Sequence, residues 1–186
     1  MYKNTIVKPF ISINSPSKIY YGFVETPKYG RLFLAFYLEK NLYLCYAHFA
    51  ANETTMEKFK NDLQILWPKT EIVNDDKTTK EIWDKYMTEP NGAEEIYVLL
   101  KGTEFQRKVW SALLEIPFGE ECTYSDLAVA IGNPKAVRAV ANAVGSNNIA
   151  IFIPCHRVKA KNGDKLKYRW GGDLKKRILV HEKGNV

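Results

Sequence analysis

The side chains best suited to chemistry stand together in one short stretch, Pro154-Cys155-His156-Arg157-Val158. A thiol beside an imidazole and a guanidinium has the makings of an activated nucleophile. The imidazole can take the thiol proton, and nearby positive charge lowers the thiol pKa. A lone cysteine is more often an inert core residue, but the His-Arg pair, the preceding proline and the basic surroundings favour reactivity. The pattern by itself allows a hydrolase, a redox protein or a transferase. The other cysteines, Cys45 and Cys122, are distant in sequence, and three in all do not make a disulfide framework. There is no CxxC, and only His48, His156 and His181 could add imidazole ligands, so neither metal nor cofactor is expected.

The segment that delivers Cys155 is the continuous apolar run Ile149-Ala150-Ile151-Phe152-Ile153, which should be buried. Upstream, Thr103-Glu104-Phe105-Gln106 fits a capping box. Phe105, Val109, Trp110, Leu113 and Leu114 then form a helical apolar stripe that Pro117 and Gly119 end. Ser125 opens a short helix carrying Leu127, Ala128 and Ile131, and Gly132 is placed to stop it. Asn133 as cap and Pro134 at the first helical position start a second helix that runs to about Val144. Two short helices across a tight break predict a helix-turn-helix. Val137, Val140, Ala141 and Val144 should face the core, with Lys135, Ala139 and Asn142 outward and Arg138 at the edge. Such short side chains suit close approach to a DNA groove, and equally an ordinary solvated face.

Residues 1–102 hold 13 basic and 13 acidic residues, whereas 103–186 hold 14 and 8, so the whole net charge of +6 lies in the second half. A one-sided basic surface points to a polyanion, with nucleic acid first among candidates. In the first half, residues 18–24, 31–37 and 41–49 read as an antiparallel meander. A helix capped at Thr54 or Thr55 should reach about Trp67, a short helix should lie around 82–87, and a strand over 95–101. No apolar run approaches the roughly 18 residues of a membrane span. The N-terminal residues lack the unbroken apolar stretch of a secretory signal. An intracellular monomer with no membrane partner is expected, nuclear in a eukaryote and cytoplasmic in a prokaryote.

Five stretches, in order, resemble the O6-alkylguanine-DNA alkyltransferase family. They are Gly102-Thr103-Glu104-Phe105-Gln106-Arg107-Lys108-Val109-Trp110, Thr123-Tyr124-Ser125-Asp126-Leu127-Ala128, the run from Ile131 to Val140, Ile153-Pro154-Cys155-His156-Arg157-Val158, and Tyr168-Arg169-Trp170-Gly171. Together they span about 80 residues, and the Pro-Cys-His-Arg motif is highly specific. The first half matches no motif, although the family carries a variable α/β domain there. The resemblance implies an α/β (α+β) protein. Residues 1–101 would form a supporting domain with a small antiparallel sheet and helices. Residues 102–186 would form a mostly helical domain for DNA binding and alkyl transfer.

The implied activity is single-turnover transfer of a methyl or other alkyl group from O6-alkylguanine in double-stranded DNA, with O4-alkylthymine a further substrate. Cys155 would be the nucleophile. His156 would be its base, acting through a water, with Glu182 orienting the histidine and Asn147 bracing the active-site turn. The target base would leave the duplex, with Arg138 filling its place and Tyr124 rotating the phosphate and donating to the flipped base. Tyr124, Ser125, Asn133, Arg138, Ala139 and Lys161 would contact DNA through the minor groove. Tyr124, Val158, Tyr168 and Arg169 would line the base pocket. Asn148 and Ala150 stand where many members have proline, and Lys167 where glycine is common. Relatives that bind alkylated DNA without transferring lack the cysteine, so the presence of Cys155 favours transfer.

Overall fold

The computed structural model describes residues 6–11, 15–50, 55–87, 95–162 and 168–184. The chain divides into two compact units, Met1–Lys101 and Gly102–Val186. The fold is of the α/β class.

In the first unit, strands β1 (Ile6–Phe10), β2 (Lys18–Thr26), β3 (Gly30–Leu38), β4 (Leu42–Phe49), β5 (Glu71–Asn74) and β6 (Glu95–Leu99) join helices α1 (Thr55–Leu66) and α2 (Asp76–Met87). The expected meander forms the centre, with β2, β3 and β4 paired antiparallel. Three parallel pairings widen it into a six-stranded mixed sheet, ordered β1-β6-β4-β3-β2-β5. The aromatic and aliphatic side chains from Leu32 to Tyr37 in β3 and throughout β4 are buried on both faces, as central strands require. Phe33 stacks on Tyr21 and meets the rings of Tyr46 and Phe59, which ties α1 to the sheet. Helix α2 lies so close to β2 that a Cβ on Gly22 would sit 2.8 Å from the Asp76 Cα. It is also longer than the short helix expected around 82–87. Thr54, Lys167 and residues 88–94 lie outside the described residues.

In the second unit, α3 (Glu104–Leu114) begins at the expected capping box: Gln106 N donates to Thr103 Oγ1, and Thr103 N donates to Gln106 Oε1. Helix α4 (Tyr124–Ala130) follows the two-residue strand β7 (Cys122–Thr123) and starts one residue before Ser125, because Thr123 and Asp126 form a second capping box. Gly132, at φ 72°, ends it as expected. Helix α5 (Val137–Gly145) departs from the sequence expectation. Asn133 does not cap it. The Asn133 carbonyl instead closes a turn by accepting from Ala136 N at 3.0 Å, and the helix starts after Ala136 with no side-chain cap. Val140, Ala143 and Val144 form its buried face; Val137 and Ala141 are only half-buried. Trp110 fixes α3 to α5 through Nε1, which donates to the Ala143 carbonyl at 2.8 Å. Helix α6 (Gly172–Glu182) buries Leu174, Ile178 and Glu182 along one line, beside Lys175 and Leu179. Among the described residues no helix is long and apolar enough to cross a membrane.

Candidate active site

Residues 149–153 are all buried, and the chain there turns sharply enough to place Ile151 at φ 67°. A β-branched residue resists that conformation, at a cost of about 1–3 kcal/mol, and holds it only when its surroundings impose it. Asn147 supplies the constraint. Its Nδ2 lies 3.2 Å from the Ile149 carbonyl, 3.1 Å from the Ile153 carbonyl and 3.2 Å from Cys155 Sγ, while its Oδ1 accepts from Ile149 N at 2.9 Å. One amide thus shapes the turn and touches the sulfur. Cys155 then opens a single 3-10 turn (Cys155–Arg157) that leads into the short strand β8 (Val158–Lys159).

Behind the cysteine, the fully buried His156 Nε2 lies 2.8 Å from Glu182 Oε1. Glu182 also binds Arg157, through Nε to Oε2 and Nη2 to Oε1, both at 2.9 Å. The remaining guanidinium nitrogen, Nη1, donates to the Ile116 carbonyl, and Gly119 N approaches Glu182 Oε2 at 3.4 Å. Burial opposes the charge on Glu182, but the His156 and Arg157 bonds outweigh it and bring its pKa down to about 2. Burial lowers the His156 pKa despite the carboxylate, so the imidazole is neutral. With Nε2 committed to Glu182, Nδ1 is buried without a hydrogen-bond partner among the described residues. It is the ring atom open to accept a proton.

The sequence expectation that positive charge favours a Cys155 thiolate is corrected here. Burial pushes the thiol up to about 11; the Asn147 bond, Lys175, the Cys155 backbone and Arg169 offset only part of that. The Arg157 charge is taken up by Glu182. The resting sulfur is therefore a thiol that must lose its proton when it reacts.

In front of the sulfur opens a pocket of about 820 Å³, lined by Cys155, Tyr124, Asn147, Tyr168, Arg169 and Trp170 among others. Burial, with the nearby Cys155, raises the Tyr124 pKa, so its phenol stays protonated. The Tyr168 hydroxyl is buried and lacks a hydrogen-bond partner among the described residues; burial first, then the Cys155 sulfur, holds its proton firmly. Val158 is fully buried and is not among the lining residues; its carbonyl accepts from Lys175 Nζ at 2.5 Å. Of the residues expected to contact DNA, Asn133, Arg138, Ala139 and Lys161 are exposed and Ser125 is half-buried.

Sequence reasoning missed four contributors. Arg157 belonged to the motif but was assigned to the thiol rather than to Glu182. Lys175 was not singled out, although it falls on the Leu174–Ile178 face of α6. Trp170 stood in the Tyr168–Gly171 stretch but was given no role of its own, and Asn162 lines the pocket without any spacing that marks it.

The family model described as "6-O-methylguanine DNA methyltransferase, DNA binding domain" matches residues 104–184. A methylated-DNA–protein-cysteine methyltransferase of Saccharomyces cerevisiae is 36% identical over 180 residues, covering 90% of this chain and 94% of that protein. A probable methylated-DNA–protein-cysteine methyltransferase of Acanthamoeba polyphaga mimivirus is 65% identical over 87 residues, covering 47% of this chain and 58% of its own length. Among solved structures, the O6-methylguanine methyltransferase of Mycobacterium tuberculosis aligns with TM-score 0.68 at 30% identity, covering 90% of this chain and 94% of its own. The M. tuberculosis protein in complex with DNA aligns with TM-score 0.63 at 28% identity, covering 91% and 94%.

Proposed function

The chain belongs to the methylated-DNA–protein-cysteine methyltransferase family, and from that membership we infer that Cys155 accepts one alkyl group from O6-alkylguanine in duplex DNA. The protein acts in DNA repair by direct reversal. The observation that carries the assignment to Cys155 is the geometry around its sulfur. A buried thiol forms part of a pocket wall, with a neutral His156 held by an ionised Glu182 behind it.

The thiol proton passes to His156 Nδ1 through one bridging water, and Glu182 stabilises the imidazolium that results. The sulfur attacks the alkyl carbon, an S–C bond forms and the C–O6 bond breaks. The electron pair goes to the purine, which takes a proton from the Tyr124 hydroxyl, so no free guanine anion has to leave. The product is a thioether. Water does not cleave it as it would a thioester, so each molecule reacts once. A base inside the helix cannot reach the pocket, and the target nucleotide must rotate out of the stack. Helix α5, whose Ala141, Asn142, Val144 and Gly145 line that pocket, also carries the exposed Arg138 and Ala139. Ala139 lets the helix approach a narrow minor groove, and Arg138 fills the place that the base leaves. The protein works as a monomer.

The test is incubation with a duplex containing O6-methylguanine, followed by peptide mass analysis. Cys155 should carry one methyl group per molecule; a bound duplex with Cys155 unmodified would establish lesion binding without transfer. In the same assay Arg138→Ala should slow repair of the duplex far more than reaction with free O6-benzylguanine. Equal losses on both substrates would remove the stacking role.

A further inference from the structure

Among the described residues the pocket wall is aromatic, amide-bearing or aliphatic, with one charged side chain, Arg169, and no aspartate or glutamate. Arg169 is fixed from one side. Its Nη1 donates to the Asn147 carbonyl at 3.2 Å and to Asn148 Oδ1 at 2.9 Å, which anchors the guanidinium to the active-site turn. The rest of that fork makes no further hydrogen bond to a described residue. The other charges nearby do not cancel it: the Glu182 charge is matched by Arg157, and Lys175 is a second cation buried behind the Cys155–Val158 segment. The substituent on O6 must lie against Cys155, because its carbon is the atom the sulfur attacks. Arg169 lines the same cavity.

Resting on the alkyl-transfer reading above, we propose that Arg169 makes the pocket select its substrate by the charge of the O6 substituent, favouring carboxylate-bearing groups over neutral ones and disfavouring cationic ones. A guanidinium held by one edge presents its remaining N–H groups at fixed positions, the arrangement that recognises a carboxylate well. A substituent ending in an ammonium meets like charge in a cavity with no acid among its described lining residues to answer it. The bond changes are the same for every substituent: sulfur to carbon forms, carbon to O6 breaks, and the purine takes a proton.

The experiment uses the full chain in excess over duplexes carrying O6-methyl-, O6-carboxymethyl-, O6-propyl- or O6-(2-aminoethyl)guanine, so that the rate reports the transfer step. Each rate is compared between the unaltered protein and Arg169→Met, so intrinsic differences in reactivity cancel. Relative to its effect on the propyl group, Arg169→Met should slow carboxymethyl transfer about fivefold and speed aminoethyl transfer by about the same factor, the scale of one partly exposed charge pair. Arg169→Lys should keep the ordering. Equal changes for all four substituents would overturn the proposal and make Arg169 a general anchor of the turn or a phosphate contact. Failure of the unaltered protein to take even the methyl group would overturn the alkyl-transfer reading itself, so the two failures are distinct.

Discussion

Among the described residues, the 1–101 unit buries no aspartate, glutamate, lysine or arginine, whereas the 102–186 unit buries Arg157, Lys175 and Glu182. The first interior is filled by rings around Phe33, Tyr46 and Phe59. The second is held by directed polar bonds around a strained turn. Each unit contains a fully buried thiol, Cys45 and Cys155, and burial raises the pKa of both. Burial alone therefore does not separate an inert cysteine from a reactive one. Cys45 donates to the Ala35 carbonyl at 3.2 Å inside a packed sheet. Cys155 meets the Asn147 amide, faces a pocket and has as its neighbour an imidazole with one nitrogen unpartnered among the described residues. What surrounds the sulfur, rather than how deep it lies, decides its chemistry.

The largest effect expected from this contrast is at the two sulfurs themselves. Cys155→Ala should abolish methyl uptake from an O6-methylguanine duplex while the protein still binds DNA. Cys45→Ala should leave uptake at one methyl per folded molecule and lower stability by about 1 kcal/mol. Loss of uptake in a folded Cys45→Ala protein would break the comparison.

Next in size is the buried carboxylate. Glu182→Gln leaves the Arg157 charge without its counter-ion and should cost about 3–5 kcal/mol in urea unfolding. The pH dependence has a definite sign. The Glu182 pKa falls from its ordinary 4.5 to about 2 on folding. Its contribution, on the order of 3 kcal/mol, is complete above pH 4.5 and is lost as pH falls towards 2. Unfolding curves across that window should show a larger loss in the unaltered protein than in Glu182→Gln, which keeps only the acid loss due to Asp75, Glu95, Glu121 and Asp126, whose hydrogen bonds also lower their pKa values. A smaller effect is expected in the aromatic unit. Phe33→Leu should cost about 1–2 kcal/mol by loosening the contacts with Tyr21, Tyr46 and Phe59, with the methyl-transfer rate per folded molecule unchanged.

The same division explains what could be read from the sequence. Strands β2, β3 and β4 were legible because they are long, apolar and joined by short breaks. Strands β1 and β5 were not: they have five and four residues, lie at the sheet edges, and β1 contains Pro9, which reads as a break although an edge strand tolerates it. Cys155, His156, Asn147 and Glu182 were found through the family motif, and the structure brings them together. The neutral thiol was not legible, because desolvation depends on the fold around the sulfur, while the sequence shows only nearby basic residues. For the same reason Arg157 pointed to the wrong partner: Glu182 is 25 residues away in sequence and 2.9 Å away in space.

The smallest test asks whether directed polar bonds also hold the helices that frame the pocket. Helix α4 has seven residues, too few to be stable on its own, and it carries Tyr124 at its first position. Its start is fixed by Thr123 Oγ1, which accepts from Asp126 N at 3.1 Å, and by Thr123 N, which donates to Asp126 Oδ2 at 2.8 Å. Thr123→Ala removes the first of these bonds and should cost about 1 kcal/mol. Ala136, at the start of α5, has φ −88° and ψ 22°, outside the extended region a capping side chain needs. Ala136→Ser should therefore leave stability within a few tenths of a kcal/mol. If Ala136→Ser stabilised the protein as much as Thr123→Ala destabilised it, residue type rather than backbone geometry would govern both helix starts. The turn over Asn133–Ala136 would then be a weak cap and not a fixed element presenting Arg138.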